Sequence, residues 1–262
     1  VKVSVNAPSW RRPKVETLDY LPFLRVWVDP SEAAQYRKAN PGAEIIECAK
    51  GVQGNISRVR NHILDREFDR GMDAVAIVDD DMRGMFYFEG ARKHGKDNDH
   101  LVPGDRFVAF VKKYTLLAQD LGVKMWGVNV TFDPQYYQEY KPFALTCYIG
   151  SPFTCFLRGN ACRYDEALPL KEDYDMTLQQ LNRYRKVLRL NKFHYMVKQG
   201  VQAGGCSVYR SHEVEREQLE ALRKKWGSRI VRIDHNERNH IMRTGRVRED
   251  YNPVIVAPIA GA

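Results

Sequence analysis

The stretch that most constrains this chain is Ala74–Val78, five apolar residues that run directly into Asp79, Asp80 and Asp81. A short run that is apolar at every position is the pattern of a strand covered on both faces, as in a parallel sheet with helices above and below. Upstream of it, strand and helix patterns alternate, which implies an α/β layered half. Residues 1–5 read as a strand, broken by Pro8-Ser9-Trp10-Arg11-Arg12-Pro13. Residues 17–21 suit a short helix and residues 24–28 a second strand ending at Asp29-Pro30. Ser31 is placed to cap a helix reaching Lys38, and residues 44–48 form a third strand. Ile56, Val59, Ile63, Leu64 and Phe68 recur at helical spacing, with Gly71 closing that element.

Downstream the pattern predicts a helix over 107–121 and a strand over 124–130 that leads into an aromatic loop, 132–140. A strand over 153–157 then stops at Arg158-Gly159-Asn160. A helix over 173–184, a strand over 187–197, a charged helix over 212–226 ended by Gly227 and a strand over 229–233 complete the chain. No internal repeat or linker interrupts it, so one domain is expected. Such sheets bind ligands beyond the carboxyl ends of their strands. Residues 7–12, Asp29 and the aspartate triplet all fall there.

With 262 residues, 44% hydrophobic and 28% charged, the composition excludes a disordered or collagen-like chain. No apolar run nears the roughly 18 residues that cross a bilayer, so no membrane partner is expected. Residues 1–8 carry no apolar signal core; the chain begins at Val1 rather than Met, which leaves a preceding leader open. Cys48, Cys147, Cys155, Cys162 and Cys206 are odd in number and lack Cys-x-x-Cys spacing, the usage of reduced thiols in a cytoplasmic protein. Lys and Arg outnumber Asp and Glu by 41 to 33, a net charge of +8. That balance attracts nucleic acid and nucleotide phosphates, and it also serves solubility alone.

Three adjacent carboxylates are electrostatically costly, because each disfavours ionising the next. A divalent cation removes that cost, and hard oxygen ligands suit Mg2+ or Mn2+ completed by substrate phosphates and water. In an extended segment Asp79 and Asp81 face one side and Asp80 the other. The competing reading is a solvated turn whose aspartates cap the next element.

Ile77-Val78-Asp79-Asp80-Asp81 resembles the Asp-x-Asp motif of GT-A glycosyltransferases, which hold a nucleotide-sugar diphosphate through a divalent metal. Gly54-Asn55-Ile56-Ser57-Arg58-Val59-Arg60-Asn61 resembles the helix start that those enzymes place beside the nucleoside. Arg158-Gly159 resembles their glycine loop, and Lys171-Glu172-Asp173 their x-Glu-Asp motif. The four pieces come in family order and span about residues 1–200. Arg189-Leu190-Asn191-Lys192-Phe193 with Gly204-Gly205-Cys206 is further similar to phage-type (bacteriophage) DNA-modifying glycosyltransferases related to the base J glucosyltransferase, which act on 5-hydroxymethylpyrimidines such as 5-hydroxymethylcytosine.

The resemblance implies a GT-A fold, a Rossmann-like mixed central sheet flanked by helices. A nucleotide-sugar half would cover 1–130 and an acceptor and catalytic half 131–262. It implies a UDP-sugar donor, Mn2+ or Mg2+ as cofactor, a DNA acceptor and a cytoplasmic location. Asp81 would ligate the metal, with Asp79 sharing it or holding the ribose. Pro8, Ser9, Arg11, Asp29, Gly54, Arg60, Asn61, Asp79, Asp80 and Gly159 would line the donor site. Arg11 and Arg12, after the first strand, could meet phosphates. For Asp29 a helix cap, for Arg60 a surface position and for Arg11 and Arg12 a solvated loop are the alternatives. Asp173, with Glu172 beside it, would be the general base of an inverting enzyme; a retaining enzyme would use it differently, and a plain N-cap at Glu172 or Asp173 is the alternative. A third metal ligand has no clear motif among His194, His212, His235 and His240.

Basic residues gather over 183–198 and 223–248, the first group interleaved with Tyr184, Phe193 and Tyr195. Phosphate contacts and stacking platforms would suit a nucleic acid; a solvated helical face is the alternative. Three rivals stand beside this reading: the same chemistry on a protein, glycan or small molecule, a nucleotidyltransferase, and a non-catalytic nucleic-acid-binding module. The second should carry a Gly-rich phosphate loop after the first strand, and residues 8–13 contain no glycine.

Overall fold

Ala74–Val78 forms a strand, β4, with every residue buried. Ala74, Ala76 and Val78 enter one core cluster while Val75 and Ile77 enter the other, the two-residue period of a strand covered on both faces. The computed structural model, which describes residues 1–89, 99–133, 137–197, 204–233 and 251–259, places β4 inside a mixed sheet. To one side lie β1 (Val3–Pro8), β2 (Arg25–Val28) and β3 (Glu44–Glu47), all parallel, in the order β3-β2-β1-β4. To the other side come β9 (Phe153–Leu157), β7 (Met125–Asn129), β10 (Leu188–Val197), β5 (Met82–Phe88) and β6 (Asp99–Leu101). β9 runs antiparallel to both β4 and β7, β10 parallel to β7, and β5 antiparallel to β10. A short β8 (Phe143–Ala144) pairs with β10, and β11 (Val231–Ile233) with β12 (Pro253–Ile255) forms a separate antiparallel pair.

Helices cover both faces. α4 (Phe107–Asp120) sends Phe107, Phe110 and Val111 into the cluster that holds Ala76. α3 (Ile56–Asp69) and α5 (Glu172–Tyr184) send Val59, Ile63, Leu64, Met176 and Leu181 into the one that holds Ile77. α6 (His212–Trp226) closes a third cluster through Leu219 and Leu222, against Leu168, Leu178 and Val231. Two short helices, α1 (Thr17–Tyr20) and α2 (Ala33–Ala39), link the first strands.

The expected mixed sheet flanked by helices is therefore present, and four local expectations change. β1 extends through Pro8, which pairs with Trp27 at the strand's end. The helix expected to be capped by Ser31 starts at Ala33, because the Ser31 N–H and hydroxyl donate instead to Asp29 Oδ1 at 2.9 and 2.6 Å. β4 is parallel on one side only, since β9 pairs with it antiparallel. β5 is not foreshadowed by the residue pattern, and it begins immediately after the aspartate triplet.

These directions decide what meets at the site. The carboxyl ends of β1, β4, β7 and β10 and the beginning of β9 share one sheet edge.

Candidate functional site

At that edge lies a cavity of about 1000 Å³. Its first wall is the turn from β4 into β5. Asp80 is buried there and accepts from Ser9 Oγ and, at 2.6 Å, from Arg12 Nη1. Arg12 Nη1 also stands 3.5 Å from Asp81 Oδ2, whereas Asp79 Oδ1 faces Arg60 Nη2 at 3.2 Å. The triplet forms a turn rather than the expected extended segment, so that one guanidinium lies within reach of both Asp80 and Asp81, while Asp79 and Asp81 both face the cavity. Burial pushes the Asp80 carboxyl up to about 6 in spite of Arg12. Burial, followed by the neighbouring charges of Asp79 and Asp80, pushes Asp81 up to about 7.

That crowding is the test of whether a divalent metal fits. Asp79 and Asp81 both line the cavity, and burial and like charge keep the Asp81 anion unfavourable, so a hard dication suits the donor set. Among the described residues no group of three or more His, Cys, Asp and Glu side chains is arranged to hold a metal. Two carboxylates plus phosphate and water oxygens is the usual complement for Mg2+.

The floor is built by α3. Asn55 caps this helix, its side chain accepting from the Arg58 N–H at 3.3 Å. Gly54, at φ +93°, lies against the Trp10 ring. Arg60 falls on the same helical stripe as Val59, Ile63 and Leu64 and is 2% exposed. Its guanidinium donates to Glu172 at 2.8 Å, to Ser151 Oγ at 3.0 Å and to Asp79. Arg60 is thus neither a surface arginine nor free to read a base edge. From the sequence Arg60 is expected at a base edge or on the surface, although the apolar positions 56, 59, 63 and 64 carry position 60 on the same stripe.

The opposite wall is the start of α5. Lys171 is buried and its Nζ pairs with Glu215 of α6. Glu172 meets Arg60, yet burial and then the Asp173 charge push its carboxyl up to about 7. Asp173 also lines the cavity, accepting from the Tyr148 hydroxyl through Oδ2 and from the Tyr174 N–H through Oδ1 at 2.8 Å. Tyr148, Ser151, Trp10, Arg12 and Lys171 belong to the site without having been singled out for it in the sequence, apart from Arg12 as a phosphate contact. Tyr148 and Ser151 come from the irregular segment before β9, which carries no motif.

The segment 204–211 completes the cavity. Gly205 N–H donates to Trp10 O at 2.9 Å, and Cys206, Ser207 and Tyr209 line the wall. The stretch Gly204-Gly205-Cys206 is thereby clasped against the loop after β1.

Pro8, Ser9, Gly54, Arg60, Asp79, Asp80, Asp81, Glu172 and Asp173 therefore converge. Arg11, Asp29, Asn61 and Gly159 do not. Arg11 lies over the Trp10 ring at 4.5 Å, with its N–H on Glu32. Asp29 is at the right edge, but its carboxylate is engaged by Ser31, whose hydroxyl and N–H lower its pKa. Asn61 spends both side-chain groups on the Tyr164 backbone. Gly159 follows the end of antiparallel β9, which puts it at the opposite edge of the sheet from Asp79.

His194 is buried against Asp99 at 2.8 Å and stacked on Phe86 and Phe88, outside the cavity. His212 lines it, and His235 and His240 lie outside the described residues. The interleaved aromatics form no exposed platform. Phe193 packs on Phe110 and Tyr114, Tyr195 is buried, and Tyr184 bonds the Ala161 N–H. Lys198 and residues 234–248 of the second basic run lie outside the described residues.

No helix among the described residues is long and apolar enough to cross a membrane. The model of the TET-associated glycosyltransferase family matches residues 23–205. No curated protein sequence matches the chain. Among solved structures, glucosyl-3-phosphoglycerate synthase from Mycobacterium tuberculosis, in complex with Mn2+, UDP and glucosyl-3-phosphoglycerate, superposes with a TM-score of 0.49 at 11% identity, over 86% of this chain and 80% of its own. S. aureus TarS 1–349 gives a TM-score of 0.43 at 14% identity, over 85% and 66%. A197 from STIV gives 0.42 at 11% identity, over 77% and 87%.

Proposed function

This chain belongs to the TET-associated glycosyltransferase family, and we propose that it moves a sugar from a UDP-sugar to the hydroxyl of a 5-hydroxymethylpyrimidine in DNA. The observation that carries the reading is the presence of two separate carboxylate stations in one cavity, Asp79 and Asp81 on one wall and Asp173 on the other. Residues 1–130 then serve chiefly the donor and residues 131–262 the acceptor.

Pro8, Ser9 and Gly54 line the part of the cavity assigned to the nucleoside. Asp79 and Asp81 would hold Mn2+ or Mg2+, which would supply positive charge against the diphosphate. Arg60 fixes Asp79 and Glu172 relative to each other. In the transfer step the acceptor oxygen bonds to the anomeric carbon while its proton passes to Asp173. The bond from that carbon to the diphosphate oxygen breaks, and its electron pair leaves with UDP. A carboxylate in this role contributes about 10²- to 10⁴-fold. Glu172, already engaged by Arg60, is a partner of that guanidinium rather than a second base.

The acceptor assignment rests on the net charge of +8 and on the resemblance carried by residues 189–193 and 204–206. A target inside a duplex would be flipped out to reach Asp173. The test is incubation of the full chain with UDP-glucose, Mn2+ and duplex DNA containing 5-hydroxymethylcytosine, followed by mass spectrometry of the nucleosides. A hexosylated nucleoside is expected. Transfer to a protein or glycan but never to DNA would replace the acceptor, and failure to bind any nucleotide in Mn2+ would overturn the donor side.

A further inference from the structure

We infer that Tyr148 is a positioning residue for the transfer, holding the Asp173 carboxylate in one orientation toward the acceptor; this rests on Asp173 being the base. The segment before β9 reaches the site edge and is pinned there at the peptide group that follows Tyr148. The Tyr148 carbonyl accepts from Arg189 of β10 at 3.3 Å, and the next residue's N–H, on Ile149, donates to Thr177 Oγ1 of α5 at 3.3 Å. The Tyr148 ring stacks on Tyr174 with centroids 4.4 Å apart and planes 16° from parallel. Backbone and ring are therefore fixed before the hydroxyl meets Asp173 Oδ2.

Asp173 Oδ1 accepts from the Tyr174 N–H at 2.8 Å, so each carboxylate oxygen carries one hydrogen bond from a fixed donor. The plane of the carboxylate is set, and each oxygen keeps a further lone pair for the acceptor hydroxyl. Burial, reinforced by the Asp173 charge, keeps the phenol well above its ordinary pKa, so it remains a donor. Removing that hydroxyl frees a torsion that is otherwise broad and two-fold. Small misplacement of a reacting group costs up to about 100-fold in rate.

Tyr148→Phe keeps the ring and its stack while deleting only the hydroxyl. Turnover is read as UDP release, once with hydroxymethylated DNA as acceptor and once with water alone, beside donor affinity by calorimetry and Tm. The expected result is a fall in kcat of about 10- to 100-fold, with donor Kd at the wild-type value and Tm lowered only as far as the loss of one charge-assisted hydrogen bond requires. Tyr148→Leu should lose kcat as well and lower Tm further, because it also removes the stack. Wild-type kcat in Tyr148→Phe, or a loss that tracks Tm or donor Kd, overturns the inference. Asp173→Asn is measured alongside. If it is inactive while Tyr148→Phe is normal, only the role of Tyr148 falls; if it turns over normally, the assignment of the base falls and this inference falls with it.

Discussion

Arg60 donates to Glu172 at 2.8 Å with its side chain only 3% exposed, joining the helix that floors the cavity to the one that forms its far wall. The same guanidinium reaches Asp79, so one buried cation links Asp79 on one wall to Glu172, the neighbour of Asp173, on the other. Replacing it with Met leaves Glu172 buried beside an apolar group and Asp79 without its partner. Breaking a buried pair from one side costs about 3 kcal/mol or more. Urea unfolding of Arg60→Met should show that loss. Arg60→Lys should recover only part of it, because a single ammonium cannot present two nitrogens in a planar fork. Wild-type stability in Arg60→Met would mean that the pair contributes nothing.

The Glu172 carboxyl gives this stability a pH dependence of definite sign. In the folded chain burial, with Asp173 beside it, raises its pKa from 4.5 to about 7. Between those values the folded state holds the proton more tightly than the unfolded state, so rising pH lowers stability. The contribution is complete below the unfolded value and lost as pH passes through the folded one. Glu172→Gln, which cannot ionise, should be insensitive to this group. Urea midpoints at pH 5, 6, 7 and 8 should therefore move in favour of the variant as pH rises; parallel curves would remove the assignment.

Much of the fold is legible because apolar patterning reports burial. The run Ala74–Val78 and the stripe through Ile56, Val59 and Ile63 each correspond to an element at those bounds or within a residue of them. Strand direction is less legible. An apolar run such as Phe153–Leu157 looks the same pointing either way, and only its antiparallel pairing with β4 shows that Gly159 faces away from the site. Arg60 was readable from helical spacing, since a buried stripe includes position 60 whatever its charge. The place of Tyr148 at the cavity was not, because it depends on an irregular segment meeting α5 across the chain. The aspartate triplet was readable as a cluster of costly charges, but the turn that brings Asp80 and Asp81 to one guanidinium was not.

Metal dependence should separate the members of the triplet. Asp81→Ala removes a carboxylate that lines the cavity, and titrations of UDP in Mn2+ and in EDTA should then superimpose. Asp80 is instead committed to Arg12 and Ser9. Asp80→Asn should keep the difference between Mn2+ and EDTA while lowering stability by about 2 kcal/mol through the weakened charge-assisted bond. If Asp80→Asn abolishes the Mn2+ effect and Asp81→Ala keeps it, the assignment of ligands is reversed.

Gly204 tests the clasp between the segment after β10 and the loop after β1. Its backbone adopts φ +98°, where a side chain is strained. A Cβ there would stand 2.6 Å from the Arg11 carbonyl oxygen and 3.0 Å from that of Trp10, both backbone atoms with little room to yield. Gly42 has a similar φ, +84°, with nothing within 4 Å of a Cβ. Gly42→Ala therefore measures a positive-φ substitution without a collision, about 1 kcal/mol. Gly204→Ala adds the collision, and moving the segment aside breaks the Gly205 N–H bond to Trp10. Because Trp10 leads into Arg12, and Arg12 holds Asp80 and approaches Asp81, the damage should reach the cavity. We expect Gly204→Ala to lose about 2 to 3 kcal/mol and to weaken Mn2+-dependent UDP binding, while Gly42→Ala leaves that binding unchanged. Equal effects of the two substitutions on stability, with no change in binding for either, would show that the clasp does not support the donor side.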